Sequence, residues 1–136
     1  LRTWQLLTKR PEHLSNALPS WWWGNPLPNV WLGTTISNTK VAYRADVLRR
    51  TPAAVRFISY EPALGPLDNL DLTGIHWVIY GGESGHGYRK HNLAWPRVMR
   101  SKCRDAGVAF FYKQSPGYRT GMGEELDGEM VREFPK

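Results

Sequence analysis

A single cysteine, Cys103, stands in this 136-residue sequence. One thiol cannot build a disulfide scaffold, a cysteine zinc site or a cysteine-held iron–sulfur cluster within the chain. Long hydrophobic runs are missing as well. No apolar stretch approaches the roughly 18 residues of a membrane span, and no basic-then-apolar stretch opens the chain. Acidic residues are in the minority, with 12 Asp and Glu against 18 Lys and Arg, for a formal net charge of +6. That balance suits an anionic partner such as a nucleic acid or a phosphorylated metabolite, and with no apolar span no membrane partner is expected. The 13 glycines and 10 prolines are dispersed, which excludes collagen and low-complexity classes. What is left, 41% apolar and 22% charged, is the composition of one globular domain. Leu1 stands where an initiating Met is expected. The simplest reading is one partial domain, 1–136, with its N-terminal part missing from this sequence.

Five stretches read as strands: Trp4–Thr8, Val30–Thr34, Val55–Tyr60, His76–Tyr80 and Val108–Tyr112. Short, nearly continuous apolar runs suit parallel strands covered on both faces. Helical signals lie between several of them. Pro11 precedes Leu14, Ala17 and Leu18 at helical spacing; Val41, Ala45 and Leu48 follow Asn38 and stop at Thr51-Pro52. A third helix is expected from about Pro96, with Trp95, Met99, Cys103 and Ala106 on one stripe and Gly107 ending it. From Pro62 to Gly74, prolines, glycines and aspartates spell a loop whose helix is absent or very short.

Strand followed by helix, repeated, is the signature of an α/β fold with a parallel sheet. The strand ends Lys9, Thr35, Glu61, Glu83 and Lys113 are spaced 26, 26, 22 and 30 residues apart. A complete (β/α)8 barrel repeats about every 30 residues and needs roughly 250. The chain therefore reads as half a TIM-like barrel or an entire small open sheet, and the missing Met favours the C-terminal half of a barrel.

In such folds function gathers where the strands end. Here those ends carry Lys9 and Arg10, Thr35 with Asn38 beyond, Glu61, Gly81-Gly82-Glu83-Ser84, and Lys113-Gln114. Two carboxylates, several cations and amide or hydroxyl groups are expected to face one another around a common mouth and bind substrate or cofactor. The bland alternative is that strand ends are polar because they reach water. Glycines after a strand let backbone N–H groups approach an anion, yet the segment from Gly81 to Gly87 misses the known patterns. Tyr88-Arg89 replaces the Lys and Ser/Thr of a P-loop, and Ser84 lacks the second glycine of a nucleophile elbow. The histidines, His13, His76, His86 and His91, match no zinc spacing, and no metal site is expected. Trp21-Trp22-Trp23 reads as packing of a connecting loop, with base stacking as the other option. The arginines of the helices, Arg44, Arg49, Arg50, Arg97, Arg100 and Arg104, read as a solvated face or a nucleic-acid contact.

Six ordered motifs carry a family resemblance over nearly the whole chain. They are Leu7-Thr8-Lys9-Arg10-Pro11, Leu27–Gly33, Thr51–Phe57, Glu61-Pro62 with Leu64-Gly65-Pro66, Trp77–Gly85, and Phe110–Gln114. Together they resemble the phage Gp-thirty-seven/Gp-sixty-eight family, found in phages and bacteria. Two patterns depart from it: Ile36-Ser37-Asn38 stands where the family runs Val-Glu-Asn, and His86-Gly87-Tyr88-Arg89 where it commonly runs Pro-Gly-Ala-Arg. The family is similar to radical S-adenosylmethionine enzymes, whose three clustered cysteines hold an iron–sulfur cluster. The resemblance thus implies the C-terminal part of a cytoplasmic, radical-enzyme-like protein of a bacterial host. With the net charge of +6, the expected substrate is a nucleic acid or nucleotide. The resemblance also implies that the cluster and S-adenosylmethionine belong to the full-length protein, with no cofactor held by this chain alone. The competing expectation is a non-catalytic, basic nucleic-acid-binding phage protein.

Overall fold

Side chains alternate across a strand, so a run apolar at every position must be buried on both faces. The computed structural model, which describes residues 2–136, meets that demand with one sheet of five parallel strands, an α/β fold. The strands are β1 (Trp4–Thr8), β2 (Val30–Thr35), β3 (Val55–Tyr60), β4 (Trp77–Gly81) and β5 (Ala109–Gln114), and their order in space is their order in the chain. Each lies within two residues of its expected position. The sequential order is compatible with half a (β/α) barrel, because every connection crosses the same face of the sheet.

The helices are α1 (Leu14–Ala17), α2 (Tyr43–Arg49) and α3 (Ala94–Ala106). Only α3 has the length of an ordinary helix. The element after Pro11 shrinks to a 3₁₀ turn, Pro11–His13, and the single turn of α1, because Pro19 forces Leu18 to an extended ψ of 143°. Pro96 does not open α3 but lies in its first turn, where a missing N–H costs nothing. Gly107 ends α3 in the left-handed region, at φ 70°.

One face of the sheet carries Leu32, Ile58, Tyr60, Val78, Tyr80, Phe110 and Tyr112, packed against Ala45 and Leu48 of α2 and Met99 and Cys103 of α3. The stretch between β3 and β4 does a helix's work without being one: Leu67, Leu70, Leu72 and Ile75 join the same core. Arg49 fastens it from α2 by donating to the carbonyls of Asp71 and Thr73. Trp22, only 2% exposed, donates its indole N–H to the Pro52 carbonyl at 2.7 Å, whereas Trp21 and Trp23 are exposed. The triplet is thus a loop anchored by its middle ring. Burial pushes the Cys103 thiol up to about 12, as for a group surrounded by apolar atoms.

The opposite face holds a second cluster with Trp77 at its centre. Trp31, Phe57, Phe111 and Phe134 surround it, with ring centroids 5.5 to 6.1 Å away. Phe134 arrives there because the C-terminal segment runs antiparallel beside β5. Tyr112 N–H donates to the Val131 carbonyl and Glu133 N–H to that of Phe110, while Trp77 Nε1 donates to the carbonyl of Glu133 at 2.8 Å. At the other edge nothing comparable among the described residues covers β1, where Trp4, Leu6 and Leu7 are 57%, 46% and 53% exposed. No helix among the described residues is long and apolar enough to cross a membrane.

Gly33 shows how closely this second face is packed. A Cβ there would meet the Phe57 ring at 2.3 Å. Phe57 is itself nearly fully buried against Trp77 and has little room to yield. Gly33→Ala is therefore expected to cost about 1–3 kcal/mol, read as a lowered urea midpoint at unchanged slope. An unchanged midpoint would mean that the ring swings aside freely.

Candidate functional site

At the C-terminal ends of β3, β4 and β5 three tyrosines stand in register, Tyr60 beside Tyr80 beside Tyr112. Tyr80 and Tyr112 stack at 5.3 Å and 10°, and Tyr60 meets Tyr80 edge-on at 4.9 Å. Each hydroxyl holds the loop that follows a strand. Tyr60 donates to the Gly65 carbonyl; Tyr80 pairs with His91 Nδ1 at 2.7 Å and Tyr112 with Ser115 Oγ at 2.6 Å. Burial raises all three phenols and lowers His91, so every member stays neutral at pH 7.

On the other face lies a cavity of about 740 Å³, walled by strand side chains, by Thr120, Gly121 and Glu124 after β5 and by Arg132 and Phe134 of the C-terminal segment. Its floor is the aromatic cluster of Phe57, Trp77, Phe111 and Phe134, and its polar wall includes Ser59, Glu61, Lys113 and Gln114. Lys113 Nζ lies 3.2 Å from both oxygens of Glu61. The two meet because their strands are both neighbours of β4, and Gly81 at the end of β4 leaves space between them. A Cβ on Gly81 would sit 2.3 Å from Glu61 Oε2. Where β4 passes Tyr80 the register slips, so Gly81 faces Gln114 rather than Lys113. The Gln114 amide is engaged at both ends, donating to the Gly82 carbonyl at 3.0 Å and accepting from Gly121 N–H at 2.8 Å. It is a strut that holds two loops together.

The expected mouth assembles only in part. Glu61, Lys113 and Gln114 line the cavity; Lys9, Arg10, Asn38, Glu83 and Ser84 do not. Lys9 and Arg10 lie exposed beyond β1 and form no ion pair among the described residues. Asn38 accepts from Lys40 N–H at 3.0 Å and caps a 3₁₀ turn. Gly82 gives room to Pro116, whose nitrogen would be 2.3 Å from an added Cβ. Glu83 turns away to Arg89, and Ser84 forms a parallel bridge with Gly117.

The tail brings residues that sequence reasoning missed. Glu124 and Arg132 also line the cavity and pair at 2.9 Å, with the Arg132 guanidinium 5.2 Å over the Phe111 ring. Phe57, Ser59 and Glu61 were within reach, since a period of two puts them on one face; Glu124 and Arg132 sit in a stretch with no periodicity at all. Among the described residues, no group of three His, Cys, Asp or Glu is placed to hold a metal ion.

The charges of this lining cancel: Glu61 against Lys113, Glu124 against Arg132. Lys113 is 44% exposed and Glu61 25%, and an ion pair that wet contributes about 0–1 kcal/mol. The pair is therefore not what holds the fold together. Either partner can turn to a ligand at small cost, Lys113 to a carboxylate or phosphate and Glu61 to an amine or hydroxyl. The aromatic floor suits a planar or apolar body.

The family model described as "Protein of unknown function (DUF5131)" matches residues 1–135, and the chain belongs to that family. No curated protein and no solved structure matches it.

Glu83 supplies a pH prediction. Hydrogen bonds from the Arg89 side chain and backbone N–H hold its carboxyl down at about 2, against an ordinary 4.5. A depressed carboxyl contributes its stabilisation in full above the unfolded value, and loses it as pH falls through the folded one. The Arg89 amide should thus stay protected from solvent exchange at pH 5 and lose protection only as the pH approaches about 2. Loss already complete at pH 4 would contradict the clamp.

Proposed function

We propose that this member of the DUF5131 family forms the C-terminal half of a radical-SAM-like (β/α) barrel of phage and bacterial origin, acting on a nucleic acid or nucleotide. In this reading the cavity above Trp77 receives the group to be altered. The observation that carries it is the Glu61–Lys113 pair at the strand ends, over an aromatic floor and beside a glycine that keeps the space open. Paired opposite charges on rigid strands, outside the carboxyl ends of a parallel sheet, are how barrel folds grip a polar substrate. Trp77 and Phe111 offer faces for a base, Glu61 an acceptor for an amino group, and Lys113 a donor for a phosphate.

An iron–sulfur cluster does not fit this chain. Its ligands must be thiolates, and the one thiol here, Cys103, is buried with its ionisation suppressed. The cluster, with the radical chemistry it supplies, belongs in this reading to another part of the polypeptide. The residues of this chain bind and orient.

The alternative, a non-catalytic, basic nucleic-acid-binding module, rests on the net charge of +6 and the exposed aromatics rather than on a recessed site. Arg49, Arg97 and Arg100 are bound to Asp46, Asp127 and Glu129, and Lys102 donates to the Asp68 carbonyl. Such exposed pairs are weak and do not bar contact with phosphates; what favours the first reading is the Glu61–Lys113 site, which the alternative does not use.

Titrating the full-length protein with nucleosides and nucleotides while following tryptophan fluorescence tests the cavity. Lys113→Gln should weaken a phosphate-bearing ligand by roughly 10- to 100-fold, the size of a missing charge-assisted hydrogen bond. It should change a nucleoside much less. Equal affinity of wild type and variant for both ligands would remove Lys113 from the site. Anaerobically prepared full-length protein should be brown and contain iron and sulfide; a colourless protein with intact cysteines would overturn the radical-enzyme part.

A further inference from the structure

Beyond the sheet, the loops that follow β4 and β5 are joined into one unit. Gly117 N–H donates to the Glu83 carbonyl at 3.1 Å and Gly85 N–H to that of Gly117 at 3.0 Å. Arg89 closes the first loop on itself. Its backbone N–H and Nε both donate to Glu83 Oε1 at 2.9 Å, and Nη2 to Oε2 at 2.7 Å. Between these fastenings Gly85 and Gly87 take φ of +112° and +74°, turning the chain sharply on either side of His86.

This construction brings three rings together on the outside of the molecule. Tyr88 and Tyr118 meet edge-to-face at 5.3 Å and 86°, and His86 lies 6.2 Å from Tyr118. Tyr118 is 64% exposed. Among the described residues neither phenol hydroxyl nor the imidazole of His86 has a hydrogen-bond partner, unlike the three tyrosines of the sheet. Lys90 and Arg119, next in the chain to Arg89 and Tyr118, are exposed and form no ion pair among the described residues. Of the acidic residues in these two loops, Glu83 is paired with Arg89, Glu124 with Arg132 and Asp127 with Arg97, while Glu125 follows six residues after Arg119.

An exposed ring, Tyr118, braced by the half-buried Tyr88 and flanked by uncommitted cations has the chemistry of a single-strand grip, rings for bases and cations for phosphates. A protein partner would also value tyrosines, but the uncancelled positive charge on both sides of the rings favours a polyanion. We infer that His86, Tyr88 and Tyr118 form a stacking platform for single-stranded nucleic acid, with Lys90 and Arg119 meeting its phosphates. The inference rests on the nucleic-acid reading above and gives it an address. Thr120 and Gly121, the residues directly after Arg119, line the cavity, so a strand held on the platform runs beside the mouth. Trp21 and Trp23, exposed on the loop before β2, and the helix arginines are not needed for it.

Fluorescence anisotropy of a labelled short single-stranded oligonucleotide with the full-length protein tests this. Tyr118→Ala should weaken binding by about 5- to 100-fold, the range for removing one base–aromatic stack, at an unchanged salt slope. Tyr118→Phe should keep most of the affinity, because the ring does the stacking. Replacing Lys90 and Arg119 with Ala should flatten the slope of log affinity against log salt by about 0.7 for each phosphate no longer neutralised. Trp23→Ala should bind like wild type. Wild-type binding that Tyr118→Ala leaves intact would overturn the platform while leaving the nucleic-acid reading standing. Absence of binding even at low salt would bring down both. Since Tyr118 is exposed, an unchanged Tm for each variant separates these outcomes from misfolding.

Discussion

The structure depends on side-chain alternation in parallel strands that are apolar on both faces. One set of positions builds the core with the helices, and the other is left to build a cavity. At the strand ends the core-side set finishes in three aligned phenols. Their rings belong to the core and their hydroxyls to the loops, so each loop starts from a fixed point. Apolar burial thereby positions polar side chains. Phe57, Ser59 and Glu61 point into the cavity because Ile58 and Tyr60 point away from it.

Charge is distributed with the same economy. The net +6 says nothing about where the positive residues are active, and many are held within the fold: Arg49 on the loop after β3, Arg97 and Arg100 on the C-terminal segment, Arg89 on its own loop. Glu61 with Lys113 and Glu124 with Arg132 leave the cavity balanced. Uncommitted cations lie elsewhere, Lys9 and Arg10 at the end of β1, Lys90 and Arg119 around Tyr118, and Lys40 and Arg50 beside α2. A basic composition here describes the rim of the molecule more than its recess, and the two regions differ in how salt should affect them.

Much of this was legible in the sequence. The strands announced themselves as apolar runs, β3 to the residue, and Gly107 marked the end of α3 by its freedom to take positive φ. The meeting of Glu61 and Lys113 followed from strand ends sharing one side of a parallel sheet. Other parts were hidden for physical reasons. Glu83 follows an apolar strand just as Glu61 does, but Arg89, six residues on, captures it, and pattern alone cannot weigh a loop closure. Lys9 ends β1, whose distance across the sheet from β5 depends on strand order. Arg132 and Glu124 reach the cavity through a tail that pairs beside β5, a meeting of segments with no shared period.

The two margins of the sheet are treated differently. Beside β5 the returning tail occupies the backbone groups and adds Val131 and Phe134 to either face. Along β1 the outward N–H and C=O groups pair with no strand among the described residues, and three large apolar side chains are exposed. Backbone groups in that state are a template for another strand. Any further strand of this sheet would thus be added at β1, the side on which the proposed N-terminal part of a barrel would join, because the tail already occupies the side at β5.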